Sequence, residues 1–176
     1  MKKILLFFLV FVISLSFCAC SDSKGSADDT LEDDIVEGYI AMGQYAMENG
    51  QNDVALRCFD NALRMNPEYA MVYTLRATVY IMQGDFKKAL DDMNKSIELT
   101  PGEHESGYFS RGMLYFWLGE YANALVDFSK AIEINPNYMN SYKYRAEIYE
   151  IMGEDDLSAA DYAMWKLLQE NQIENN

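Results

Sequence analysis

Residues 106–136, SGYFSRGMLYFWLGEYANALVDFSKAIEINP, hold one complete structural unit. Tyr108, Leu114, Tyr115 and Leu118 fall close to helical spacing. Gly119-Glu120 supplies a turn, because glycine tolerates the left-handed backbone that ends a helix. Ala124, Leu125, Phe128, Ala131 and Ile132 then line one face of a second helix. Asn135-Pro136 stops it, since proline disfavours helix at the residue before it. The stretch predicts two helices folded back on each other across a tight turn.

The unit recurs along the chain. Tyr39, Tyr73, Tyr108 and Tyr142 each stand eleven residues before a glycine, namely Gly50, Gly84, Gly119 and Gly153. Seventeen residues after the first three glycines come Pro67, Pro101 and Pro136, the only prolines in the chain. Small residues recur where two helices must approach closely. Gly43, Ala77, Gly112 and Ala146 lie seven before each glycine; Ala55, Ala89, Ala124 and Ser158 lie five after. Twelve after stand Ala62, Ser96 and Ala131, then Trp165. Nine after stand Phe59, Met93, Phe128 and Tyr162, which fill the space those small residues leave. Self-similarity at a period near 34 residues indicates stacked helical hairpins.

This pattern resembles the tetratricopeptide repeat over about residues 35–169. The resemblance implies an all-α fold: a right-handed superhelix of four helix-turn-helix hairpins in a domain at 35–170. The repeats fall at about 36–69, 70–103, 105–138 and 139–170. It also implies that the first helix of each pair lines a concave groove. The chain departs from the family pattern in three places. Ala46 stands where the other units have Tyr80, Tyr115 and Tyr149, one residue is inserted within Pro101–Ser106, and Trp165 replaces a small residue.

One correlation is internal to the chain. Arg76, Arg111 and Arg145 lie eight before their glycines, and Asp92, Asp127 and Asp161 lie eight after. The first unit lacks both and has Met42 and Cys58. Charge appears and disappears together, so three Arg–Asp pairs within hairpins are expected, with an apolar Met–Cys contact in the first.

The beginning of the chain reads as a targeting segment. Lys2-Lys3 precedes Ile4–Phe17, an apolar run too short to span a bilayer comfortably. Phe17-Cys18-Ala19-Cys20 resembles a bacterial lipoprotein leader, with residues 1–19 removed and Cys20 acylated. Cys18, with Leu15 three residues before it, is the competing site, and an ordinary secretory leader is the plainer alternative. Several acyl chains, at about 0.8 kcal/mol per buried methylene, would hold a domain to a membrane durably. The bacterial envelope, with an outer-membrane anchor on the periplasmic or surface face, is the expected location. Residues 20–34 suggest an acidic, solvated linker, and 171–176 a polar tail.

Composition narrows function. The formal charge is −14; removing Lys2 and Lys3 with the leader leaves 12 basic against 28 acidic residues, or −16. No basic cluster offsets this, so nucleic acid is not an expected partner. With Cys20 acylated, Cys58 is the only remaining thiol and is expected to be buried. His104, the only histidine, is flanked by Glu103 and Glu105 on a loop and lacks the convergence a metal site needs. No second histidine is available for a nucleophile–base pair, and no glycine-rich phosphate loop is present. Neither an enzyme nor a cofactor site is expected.

The family geometry places residues ten and six before each glycine in the groove: Ile40 and Gln44, Thr74 and Thr78, Phe109 and Met113, Lys143 and Glu147. Met71, Ile81 and Phe116 adjoin them. The expected ligand is a protein or peptide, and the expected role is a scaffold or adaptor in an envelope complex. A glycan- or small-ligand-binding accessory lipoprotein is the alternative, permitted by the tyrosine-rich composition. Of the Lys/Asn/Arg set with which some family members grip a carboxyl terminus, only Lys143 is suitable, so that role is not expected. At the C-terminal end, either Trp165 covers the last helix or that face meets a partner or a second copy; self-capping and a monomer are the favoured expectation.

Overall fold

A computed structural model describes residues 27–102 and 105–174. Cys18, Cys20 and His104 lie outside these residues. From Asp33 onward the chain forms one compact unit. Among the described residues there are eight helices: α1 (Ala27–Glu48), α2 (Asn52–Met65), α3 (Ala70–Met82), α4 (Phe86–Leu99), α5 (Glu105–Trp117), α6 (Tyr121–Ile134), α7 (Met139–Met152) and α8 (Asp155–Glu174). Within hairpins α3 packs on α4, α5 on α6 and α7 on α8; between hairpins α2 meets α3, α4 meets α5 and α6 meets α7. The core is therefore a row of neighbouring layers, as in a solenoid.

The turns form as expected. Gly119 has φ of 76°, a conformation that a Cβ would strain. Its N–H donates to the Phe116 carbonyl at 3.0 Å, and the Glu120 N–H donates to the Tyr115 carbonyl at 2.8 Å. This pair of bonds satisfies carbonyls left open at the helix end. The same two bonds recur at Gly50, Gly84 and Gly153. The acceptor of the second bond is a main-chain carbonyl, so Ala46 can stand where other units have tyrosine. After α6, the Asn135 side chain accepts from the Asn137 N–H at 3.0 Å; Asn66 does the same for Glu68 at 3.1 Å.

Small residues face large ones across each hairpin. A Cβ on Gly43 would lie 2.5 Å from Phe59 Cε1, and one on Gly112 would lie 2.7 Å from Phe128 Cε1. In the other two units alanine replaces this glycine, and Met93 or Tyr162 replaces the phenylalanine. In the two glycine-bearing units the phenylalanine ring fills the space that a Cβ would take.

The helices reach beyond the expected bounds at both ends. α1 begins at Ala27, inside the stretch 20–34 expected to be a linker. Glu32–Asp34 are exposed, and burial starts at Val36. α8 continues to Glu174, through most of the expected tail, because nothing in Gln169–Glu174 breaks a helix. Among the described residues no helix is long and apolar enough to cross a membrane.

Among the described residues two buried side-chain oxygens lack a hydrogen-bond partner, Asn52 Oδ1 and Ser141 Oγ. The Ser141 hydroxyl is fully buried at the start of α7. Leaving such a group unpaired costs about 1–3 kcal/mol. Ser141→Ala is therefore expected to raise the unfolding free energy by about 1 kcal/mol in chemical denaturation; unchanged or lower stability would show that the hydroxyl is satisfied in solution.

Candidate interaction surface

The expected Arg–Asp pairs are all present, and each is bidentate. Arg111 Nε and Nη2 donate to Asp127 Oδ2 and Oδ1 at 2.8 and 2.7 Å. Arg76 meets Asp92 at 2.8 and 2.7 Å, and Arg145 meets Asp161 at 2.6 and 2.7 Å. The aspartates are almost fully buried. The hydrogen bond to its aspartate is the main cause that raises each guanidinium's pKa, against the opposing effect of burial.

Each arginine also reaches the preceding hairpin, which the sequence did not reveal. Arg76 Nη1 donates to Asp60 at 2.6 Å, Arg111 Nη1 to Asn94 at 2.9 Å, and Arg145 Nη1 to Ser129 at 3.0 Å. All three acceptors sit ten residues after their glycines. The guanidinium carbons stand 5.6, 5.8 and 5.7 Å from the rings of Tyr73, Tyr108 and Tyr142. One arginine thus joins a first helix to its own second helix and to the second helix before it. The first unit differs from expectation. Cys58 is buried, and burial pushes its thiol pKa up. Met42 is 60 % exposed, so no buried Met–Cys contact replaces the ion pair.

Fixed in this way, the first helices of the last three units frame a pocket of about 350 Å³. Ile81 comes from α3; Phe109, Ser110, Met113 and Trp117 come from α5; Asn140, Lys143 and Tyr144 come from α7. Four of these, Ile81, Phe109, Met113 and Lys143, are among the residues the sequence assigned to the groove or its edge. Lys143 is the one cation in the lining. Its Nζ lies 3.8 Å from Glu147 and 5.4 Å from the Tyr144 ring centroid. The site therefore combines apolar and aromatic walls with a lysine, a serine and an amide at the edge.

The other assigned residues divide. Met71 is exposed and Gln44 is half-buried. Thr74 Oγ1 is 2.9 Å from Ser96 Oγ, and Thr78 donates to the Thr74 carbonyl at 2.9 Å, so both hydroxyls already have partners. Ile40 is a core residue of the first layer, not a groove residue. Met113 is 9 % exposed, and Phe109 packs against Phe128, Tyr138 and Tyr144. Phe116 packs against Tyr121 and Tyr144. Their neighbours in the next hairpin cover these side chains, a contact that one repeat's sequence does not show. The aromatic residues Trp117 and Tyr144, with Ser110 and Asn140, were missed. They occupy registers where residue type changes from unit to unit, as in Leu75, Ser110 and Tyr144, so no recurrence marked them.

In the last hairpin the outward registers change character. Leu90 of α4 packs against a cluster that includes Leu114 of α5, and Leu125 of α6 against one that includes Ile148 of α7. The equivalent register in α8 is Ala159, and about two turns further along, where α4 has Ile97, α8 has Lys166; both are exposed. The face that would meet a fifth hairpin is therefore small and polar. Trp165 is half-buried beside Tyr162, with ring centroids 6.5 Å apart.

Comparisons with known proteins agree with this geometry. Models of the tetratricopeptide repeat match residues 40–104 and 106–138. A tetratricopeptide repeat protein 36 homolog from Nematostella vectensis is 37 % identical over 82 residues, which make up 46 % of this chain and 44 % of that protein. The chain thus spans less than half the length of that relative. The crystal structure of MamA superposes with a TM-score of 0.75 at 21 % identity, covering 79 % of this chain and 81 % of MamA. The first tetratricopeptide domain of Spaghetti (RPAP3), bound to an HSP90 peptide, superposes with a TM-score of 0.64 at 22 % identity over 68 % of this chain and 94 % of that one. At these identities the structural likeness concerns the fold.

Proposed function

Because the chain belongs to the tetratricopeptide-repeat family, we propose that it is an interaction module that holds a protein or peptide against its first helices. It serves as a scaffold or adaptor in a bacterial envelope complex, tethered through acylated Cys20. The observation that carries this reading is the pocket framed by α3, α5 and α7, where Trp117 is 49 % exposed beside Lys143. Half-exposed aromatic side chains in concave sites supply much of the binding energy in protein interfaces. A similar tetratricopeptide domain solved with a bound peptide supports a peptide ligand. The preferred ligand inserts an apolar side chain between Trp117, Ile81 and Met113 and places an acceptor near Lys143. The lipid tether would raise the local concentration of such a module at the membrane, which favours weak, exchangeable contacts.

The groove is tested by Trp117→Ala combined with Lys143→Ala, in preference to Phe109 and Met113, whose burial ties them to stability. Wild-type protein from detergent-solubilised envelopes should retain its partner, and the double variant should lose it by at least about tenfold, or 1.4 kcal/mol, with its melting temperature unchanged. Equal retention would remove the pocket from the account. The tether is tested separately with labelled palmitate. Cys20→Ala should abolish incorporation and Cys18→Ala should not; the reverse would move the anchor to Cys18, and label in neither protein would end the lipoprotein reading.

A further inference from the structure

We propose that the outward face of α8 is a second docking surface, separate from the groove, and that it receives a basic amphipathic helix of another protein. Leu157, Met164 and Leu167 are 48 %, 38 % and 49 % exposed. At 100° per residue they share one stripe with the small, exposed Ala160. In the other second helices the registers of Met164 and Leu167 are polar. The register of Met164 holds Asn61, Lys95 and Lys130, and that of Leu167 holds Arg64, Glu98 and Glu133. The register of Leu157 holds Val54, Lys88 and Asn123. Lys95–Glu98 and Lys130–Glu133 form solvent-exposed ion pairs at 2.9 and 2.8 Å there.

The stripe is therefore not the unpaired end of a stack. The register that would contact a fifth hairpin is small or polar in α8, at Ala159 and Lys166. Apolar residues appear instead at registers that the earlier units fill with polar residues, Val54 excepted. Repeat geometry does not require that exchange, and exposed leucine and methionine carry a solubility cost that a docking role offsets.

Charge selects the occupant. Asp156 borders the stripe at one end and Glu170 lies about one turn beyond the other, both exposed. Lys166 points to the opposite side of the helix from Met164. A second copy would bring these acids against one another in a chain of net charge −14. A partner helix with apolar residues at i, i+3 and i+7 and lysine or arginine at both ends meets the stripe and its rim together. From Leu157 to Leu167 the stripe rises about 15 Å, the length of a three-turn helix.

The test is selection of random 16-residue peptides displayed on phage against the full chain in detergent. The expected peptides carry apolar residues at helical spacing with basic flanks. Made synthetically, they should bind Met164→Glu/Leu167→Glu at least about tenfold more weakly and bind Trp117→Ala as they bind wild type. Because the substituted positions are exposed, the helical signal and melting temperature should hold; Met164→Gln/Leu167→Gln serves if they do not. Peptides that depend on Trp117 but ignore the α8 changes would support the groove and overturn this surface. Failure to recover basic amphipathic peptides would overturn it too. So would a wild-type dimer that Met164→Glu converts to monomer, which would make a second copy the occupant.

Discussion

Arg111→Ala will lower the unfolding free energy by about 3–5 kcal/mol, the range expected when one partner of a buried ion pair is removed. Asp127 is 2 % exposed, and Arg111 supplies a donor to each of its carboxylate oxygens. Alanine leaves that charge buried without those donors. It also releases the 2.9 Å bond to Asn94 and the stacking on Tyr108, so the α4–α5 layer loosens as well. Domains of this size are stable by only about 5–15 kcal/mol in total, so the variant should sit close to unfolding at 37 °C. Arg111→Met combined with Asp127→Leu should recover most of the loss, because replacing both members of a buried pair by packed apolar groups is often neutral or stabilising. The two single changes and the double change, measured by urea denaturation, form a cycle. Strong coupling is expected; additive losses would mean that the pair does not lock the hairpin.

Gly112→Ala should destabilise the same hairpin by about 1–3 kcal/mol, the usual cost of forcing a methyl group into a packed core. Helix propensity favours alanine by about 1 kcal/mol, so packing decides the sign. The new methyl would meet Phe128 Cε1 at 2.7 Å and Asp127 Cβ at 3.3 Å, and Phe128 is fully buried with no free space to swing into. The second unit indicates the remedy. There Ala77 faces Met93, a side chain that bends where a ring cannot. Gly112→Ala with Phe128→Met should therefore be more stable than Gly112→Ala alone in thermal denaturation. If Gly112→Ala is itself fully stable, the glycine–ring pairing is not a constraint on this fold.

Much of the architecture was legible because the same physical requirement recurs in each unit. A left-handed turn residue, a close helix crossing and a buried charge pair each leave one residue type at one register. The Arg–Asp pairs were visible from their joint absence in the first unit. The arginines' third partners were not, since Asp60, Asn94 and Ser129 share only an acceptor oxygen. Helix starts and stops at the two ends were misjudged because acidic, polar sequence is compatible both with a solvated linker and with an exposed helix. The groove was legible only in part. Sequence register identified which helix a residue sits on, as for Lys143, but burial of Ile40 and Met113 depends on how closely adjacent hairpins pack. Trp117 and Tyr144 form pocket walls only after three first helices have been set side by side.

A photoreactive benzophenone side chain in place of Asn140, at the rim of the pocket, tests the binding role most directly. A matched protein carries it in place of Glu133, on the polar outer face of α6. Irradiated in intact bacterial envelopes, the first should form a covalent adduct with a partner protein that disappears when Trp117→Ala is added, and the second should not. An adduct from position 133 alone, or one from position 140 that persists without Trp117, would contradict a ligand held by the first helices.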